Sequence, residues 1–188
     1  MTNWYTADTH FGHDNIIRFC KRPFQTTGEM DAKIIENLWS KVGADDDLWI
    51  VGDFAYGPKA KDAPYLAGLF GQLPGARKHL IIGNHDHQPT LDLPWDSVSH
   101  LAEIRDGPKN QAHTLCHYPM ITWNHARRDA LQIFGHVHDN WRGSRNSVNV
   151  GVDVWDFMPM RFEDITRRAR SLPVNKHWAD VEHNAKEL

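Results

Sequence analysis

The sequence predicts an α/β (α+β) fold, with β-sheet covered by helices. Three observations predict it. Short apolar runs of strand length alternate with amphipathic stretches of helical period. The second half holds more strand and less helix than the first, which predicts antiparallel or mixed sheet there. No internal repeat, low-complexity tract or long linker interrupts the 188 residues, a length suited to one domain.

The strand-like runs fall at 4–7, 48–51, 79–82, 114–116, 132–134 and 147–150. Asp14 is placed to cap a short helix that runs to Phe19. Met30, Ile34, Ile35, Leu38 and Val42 recur on one helical face, as do Leu66, Leu69, Phe70 and Leu73, and then Phe162, Ile165, Ala169 and Leu172. Arg167, Arg168 and Arg170 read as the solvated face of that last helix. The domain is expected over 1–172. A polar tail over 173–188 carries a lone Trp178, and it reads as a loose helix or as an arm that packs on a partner.

Composition excludes several classes. The net charge of -3 argues against a protein that coats nucleic acid, because that binding is driven by Lys and Arg paired with phosphates. The two cysteines, Cys20 and Cys116, form no CxxC and no disulfide framework, which suits a reducing, cytoplasmic setting. The first residues lack a basic region followed by an apolar run, and no stretch approaches the ~20 apolar residues that span a bilayer. The 13 histidines are scattered along the chain, many beside Asp, Asn or Gly.

The position of these polar residues carries the chemistry. Asp8 and His10 follow the first apolar run and Asp53 the second. Asn84, His85 and Asp86 follow the third, His117 the fourth, and His136 and His138 the fifth. Taken singly, each is an ordinary turn or loop residue. Taken together, they put metal-binding side chains at the ends of five strands, where ligands gather in helix-covered sheets.

The set Asp8-Thr9-His10, Gly52-Asp53, Gly83-Asn84-His85-Asp86, His117 and Gly135-His136-Val137-His138 resembles the calcineurin-like metallophosphoesterase superfamily. The resemblance implies a four-layer αββα sandwich of two mixed sheets. It also implies that Asp8, His10, Asp53 and His138 hold one metal ion. Asp53 would bridge to a second ion that Asn84, His117 and His136 complete. His85 would sit over the substrate phosphate, oriented by Asp86, as the catalytic pair.

Such a site makes physical sense. One carboxylate can hold two ions ~3.5–4 Å apart, and a water bridging them loses a proton near neutral pH to become the attacking hydroxide. Two divalent ions bring about +4, and two Asp and one hydroxide remove three, leaving roughly +1 to attract a phosphate ester. The oxygen and nitrogen donors disfavour a structural zinc site. Manganese is the expected metal, with Fe, Ni, Zn and Co compatible.

Phosphomonoesterases of the superfamily continue the second motif as GDxxDR, whereas this chain reads Gly52-Asp53-Phe54-Ala55-Tyr56-Gly57. The missing Arg favours phosphodiesters over monoesters. Asn84, His85, His13 and Arg22 are the expected substrate contacts. Tyr56 and Trp155 offer faces to a nucleobase, with core packing the other reading for Trp155. The alternatives are a phosphomonoesterase with the same site, a nuclease, or a non-catalytic scaffold. The expected partner is a phosphate-ester substrate, with no membrane and no stable nucleic-acid complex, and a homodimer is compatible.

Overall fold

A computed structural model describes residues 1–182. The strands are β1 (Asn3–Thr6), β2 (Asp47–Val51), β3 (Arg77–Ile81), β4 (Ser97–Ser99), β5 (Leu101–Asp106), β6 (Gln111–Cys116), β7 (Gln132–Phe134), β8 (Gly143–Ser144), β9 (Ser147–Asn149) and β10 (Met160–Arg161). The helices are α1 (Asp14–Phe19), α2 (Thr27–Trp39), α3 (Ala63–Phe70), α4 (Gln88–Leu91), α5 (Phe162–Ser171) and α6 (Trp178–Val181), joined by short 3-10 turns.

The strands form two five-stranded sheets, ordered β10-β1-β2-β3-β4 and β5-β6-β7-β9-β8. In the first, β1 to β4 run parallel and β10 closes the edge antiparallel. In the second, β6, β7 and β9 run parallel, while β5 and β8 are antiparallel edges. Both sheets are mixed and helices pack around them, as the expected α+β sandwich requires.

Strand alternation sends side chains to two cores. Leu48, Ile50 and Leu80 join Met30, Ile34 and Leu38 of α2 and Leu66 of α3 on one face of the first sheet. Tyr5, Val51 and Ile81 turn to the other face and meet Leu115, Ile133 and Val148 of the second sheet, together with Ile165 of α5. Each such fully buried Leu or Ile contributes roughly 1.5–3 kcal/mol. A buried polar tie joins the same faces: the Tyr5 hydroxyl donates to Asp106 Oδ2 at 2.5 Å.

Local signals explain the helix starts. Thr26 accepts from the Glu29 N–H at 3.1 Å to cap α2, and Asp62 accepts from the Tyr65 N–H at 3.1 Å to cap α3. Asp14, expected as a cap, is instead the first residue of α1 and follows His13 at the N-cap. There its charge still complements the helix dipole.

Two expectations change. Arg168 does not belong to a solvated face, because its guanidinium lies 3.1 Å from the Trp155 ring centroid and donates to the Val154 carbonyl. Trp178 is no exposed arm. It is only 4% exposed and packs with Trp123, Ala126 and Ala130, so residues 173–182 fold back on the domain. The rest of the expected tail, 183–188, lies outside the described residues. No described helix is long and apolar enough to cross a membrane.

Candidate metal centre

The loops after β1, β2, β3, β6 and β7 supply the site, and backbone bonds hold them side by side. The Asp8 N–H donates to the Gly52 carbonyl at 3.0 Å, His10 N–H to Asp53 at 3.0 Å, and Gly135 N–H to His117 at 3.0 Å. Asp8, His10, Asp53, His136 and His138 all adopt left-handed backbone, with φ of 55°, 50°, 56°, 72° and 49°. Such conformations cost non-glycine residues on the order of 1–3 kcal/mol each and cluster at functional sites.

Two clusters form. In one, ligand atoms of Asp8, His10 and His138 lie within 4.8 Å of one another, and in the other those of Asp53, His117 and His136 do. Asp53 stands between them: its Oδ2 is 3.5 Å from His10 Nε2 and 3.4 Å from His117 Nε2. Asn84 Oδ1 lies 3.2 Å from His117 Nε2, beside the second cluster. Every residue expected to bind metal is therefore gathered in one place.

The ring nitrogens are sorted by their other partners. His117 Nδ1 is 2.9 Å from the Val51 carbonyl, which assigns its proton there and leaves Nε2 to face Asp53. His138 Nδ1 is 2.7 Å from Asp153 Oδ2 in the same manner. His10 is the informative case. Both its ring nitrogens are buried with no hydrogen-bond partner among the described residues. A buried orphan of this kind is costly unless something satisfies it, and a cation would take up the lone pair of one of the two nitrogens of a neutral imidazole.

Charges in the bare site reflect the crowding. Burial pushes the Asp8 carboxyl up to about 6. Burial would also raise Asp53, but the neighbouring His117 and His10 hold it at about 2. Burial opposes charge on His117 and His138, yet Asp53 lifts the first to about 9 and Asp153 lifts the second to about 10. Burial lowers His10, His136 and His85. The donors are two carboxylates, an amide and imidazoles, with anionic charge stabilised where two clusters meet. This set fits a pair of divalent cations.

His85 stays out of both clusters. It is half-buried, with its ring 5.4 Å from that of His10 and 4.1 Å from that of Tyr56, and its backbone N–H donates to Asp53 Oδ1 at 2.9 Å. His13 packs 4.5 Å from Tyr56, and burial pushes its pKa down to about 4, so its ring is neutral at pH 7.

Two expectations are revised. Asp86 does not bond to the His85 ring. Its carboxylate accepts from the backbone N–H groups of Asp53, Phe54 and Gly83 at 2.9, 2.9 and 2.8 Å, so it shapes the Asp53 loop. Arg22 is not a substrate contact. It is 4% exposed, and its guanidinium pairs with both oxygens of Asp153 and donates to the carbonyls of Asp8 and Thr9. Trp155 packs under Arg168 and donates to the Asn149 carbonyl, as the core-packing reading expects.

Asp153 was not singled out from the sequence, although it follows the apolar run at 147–150 and so carries the same strand-end signal as the others. Cys20 was missed too. Its sulfur groups with His138 and Asp153 within 4.8 Å, placing a thiol beside the oxygen and nitrogen donors.

No family model matches the chain. The gene 66 protein of Mycobacterium phage L5 is 30% identical over 194 residues, covering 87% of this chain and 92% of that protein. An uncharacterised protein of Methanocaldococcus jannaschii is 32% identical over 164 residues, covering 86% of this chain and 87% of its own. The crystal structure of a protein of unknown function from Aquifex aeolicus superposes with a TM-score of 0.69 at 27% identity, over 89% of this chain and 98% of the other. At these identities and coverages, the chain belongs to the family of the phage L5 gene 66 protein and its Methanocaldococcus jannaschii relative.

Proposed function

We propose that the chain is a metallophosphoesterase that uses two divalent ions, most readily Mn, to hydrolyse phosphodiesters. One observation carries the reading: Asp53, a member of the second donor cluster, has its Oδ2 3.4 Å from His117 of that cluster and 3.5 Å from His10 of the first. A carboxylate so placed suits a bridging ligand.

Asp8, His10, Asp53 and His138 would hold one ion, and Asp53, Asn84, His117 and His136 the other. When bound, the pair supplies positive charge for the phosphoryl oxygens and acidifies a water for attack on phosphorus. The chain's own residues do the rest. The neutral His85 ring offers an N–H to a phosphoryl oxygen, where charge builds in the transition state. Tyr56 packs against His85 and limits the ring's freedom. Asn84 is exposed beside the second cluster and can donate its amide N–H to the same phosphate. Asp86 and Arg22 act at one remove, by fixing the loops that carry Asp53 and Asp8.

The commitment of Arg22 to Asp153 favours diesters. A monoester dianion binds best to a bidentate arginine fork, and this one is buried in another pair. The test is direct. Metal-stripped protein is reloaded with Mn, Fe, Ni, Zn, Co or Mg and assayed with bis-p-nitrophenyl phosphate and p-nitrophenyl phosphate. Metal-dependent turnover of the diester is expected, lost by at least about 10²-fold in His85→Ala. Equal turnover by the stripped protein, or by that variant, would overturn the assignment, and a tenfold preference for the monoester would reverse the substrate class.

A further inference from the structure

The end of the second sheet opposite the metal centre holds a cavity of about 780 Å³. It opens at the start of β6, before β7 and before β9, whereas the metal-binding loops follow the carboxyl ends of β6 and β7. His113 lines the cavity and His117 belongs to the metal centre; four residues of extended chain put about 13 Å between them.

Unmet donors line this cavity. The Trp178 Nε1–H and the Asn146 Nδ2 amide are buried without a hydrogen-bond partner among the described residues. The two side chains are 4% and 3% exposed. Asn146 Oδ1 accepts from the Ser144 hydroxyl at 2.9 Å, and the N–H₂ group at the other end of the amide is unmet. His113 adds a third donor. Its Nδ1 accepts from the Leu131 N–H at 3.0 Å, which assigns the ring proton to Nε2, and that atom is likewise buried and unpartnered. Three buried N–H donors with no acceptor are costly in an apolar setting, so the arrangement calls for an acceptor-rich guest.

Charge points the same way. Lys109, Arg128 and Arg170 stand on the cavity wall. Of the acidic groups there, Asp106 is engaged by Tyr5, Asn3 and the Gly107 N–H, and Asp129 remains on the rim. The side chains of Leu131 and Phe162 line the cavity between these polar groups. Cations around fixed N–H donors are the chemistry of phosphate recognition, and a volume of this size admits a nucleotide-sized molecule.

The geometry points to a second site, separate from the metal centre, that binds a small phosphate-bearing ligand of up to nucleotide size through Asn146, Trp178 and His113, with Lys109, Arg128 and Arg170 supplying charge. Such a ligand accepts the three stranded N–H bonds and neutralises the basic rim. It needs no metal, so its binding survives chelation.

The experiment is calorimetric titration of the full chain, stripped of metal by chelation, with inorganic phosphate and with adenosine monophosphate. Saturable binding of at least one probe is expected. It should weaken tenfold or more in Asn146→Asp, which keeps the Ser144 bond but replaces the donor with an anion, and in Arg170→Glu, a substitution of an exposed side chain. Trp178→Phe, which keeps the aromatic packing, should weaken it severalfold at an unchanged melting temperature. No saturable binding of either probe at millimolar concentration would overturn the proposal. So would binding indifferent to all three substitutions, or binding lost in His85→Ala and retained in Arg170→Glu.

Discussion

His138 Nδ1 lies 2.7 Å from Asp153 Oδ2, and the same carboxylate takes two N–H groups of Arg22 at 2.7 and 2.8 Å. The contact leaves Nε2 of His138 as the nitrogen free for the cluster with Asp8 and His10. Partners of this kind fix a ligand ring's tautomer and orientation, and losing one typically costs 10–100-fold in metal affinity. Asp153→Asn should therefore weaken binding of one ion about 10- to 100-fold, read by competition with a chelator of known affinity. An unchanged affinity would mean that the ring holds its position unaided.

Arg22 belongs to the frame of the site. Replacing it with Met strips the buried Asp153 of its guanidinium partner and leaves His138 alone to balance it, and breaking a buried pair from one side costs up to about 3–5 kcal/mol. Arg22→Met is thus expected to lower stability by that order in urea unfolding at pH 7. If stability held and only the KM for diesters rose, Arg22 would be a substrate contact after all.

Gly52 is where the backbone gives way to a ligand. Its φ is +87°, and a Cβ there would lie 2.1 Å from His117 Nδ1. Gly52→Ala must strain the turn and push the imidazole away from Asp53. The expected result is a loss of one metal equivalent per chain by elemental analysis, with the other retained. Two equivalents bound at wild-type affinity would contradict that geometry.

Metal uptake should compete with protons. In the bare site, Asp53 lifts His117 to about 9 and Asp153 lifts His138 to about 10, against the opposing pull of burial. Both imidazoles are raised, so each is protonated at pH 7 and must lose its proton to become a ligand. The sign follows: apparent affinity climbs as pH rises from 7 towards 10 and levels off beyond the raised values. Titrations in buffers of different ionisation enthalpy should show net proton release at pH 7, and an absence of release would remove this account.

Much of the site was legible because its signal is positional. Asp8, Asp53, Asn84, His117 and His136 each follow an apolar run, and parallel strands deliver such residues to a common edge. The strands β1, β2, β3, β6, β7 and β9 were readable for the same reason, since each carries or adjoins a short apolar run that its sheet buries. Strands β5 and β8 were not singled out, and β4 and β10 were not readable. Ser97 and Ser99 flank a single Val98, and β10 has only two residues, so neither carries a periodicity.

Roles of partners were harder to read than membership of the site. Arg22 and Asp153 are 131 positions apart, and only folding shows that each answers the other's charge. Asp86 adjoins His85 in the chain, and the resemblance implied that it orients the ring. The turn instead sends its carboxylate backward onto three amides, as short acidic side chains in tight turns commonly do.

The donor groups come from both sheets: Asp8, Asp53 and Asn84 from loops of the first, His117, His136 and His138 from loops of the second. Cations gripped by both halves would act as a rivet through the sandwich. Prying the layers apart would tear the coordination open, so each ion at a hundredfold excess over its dissociation constant adds roughly 2.7 kcal/mol against global unfolding. Metal supply in the cell would then govern how long the chain survives proteolysis as well as whether it turns over substrate.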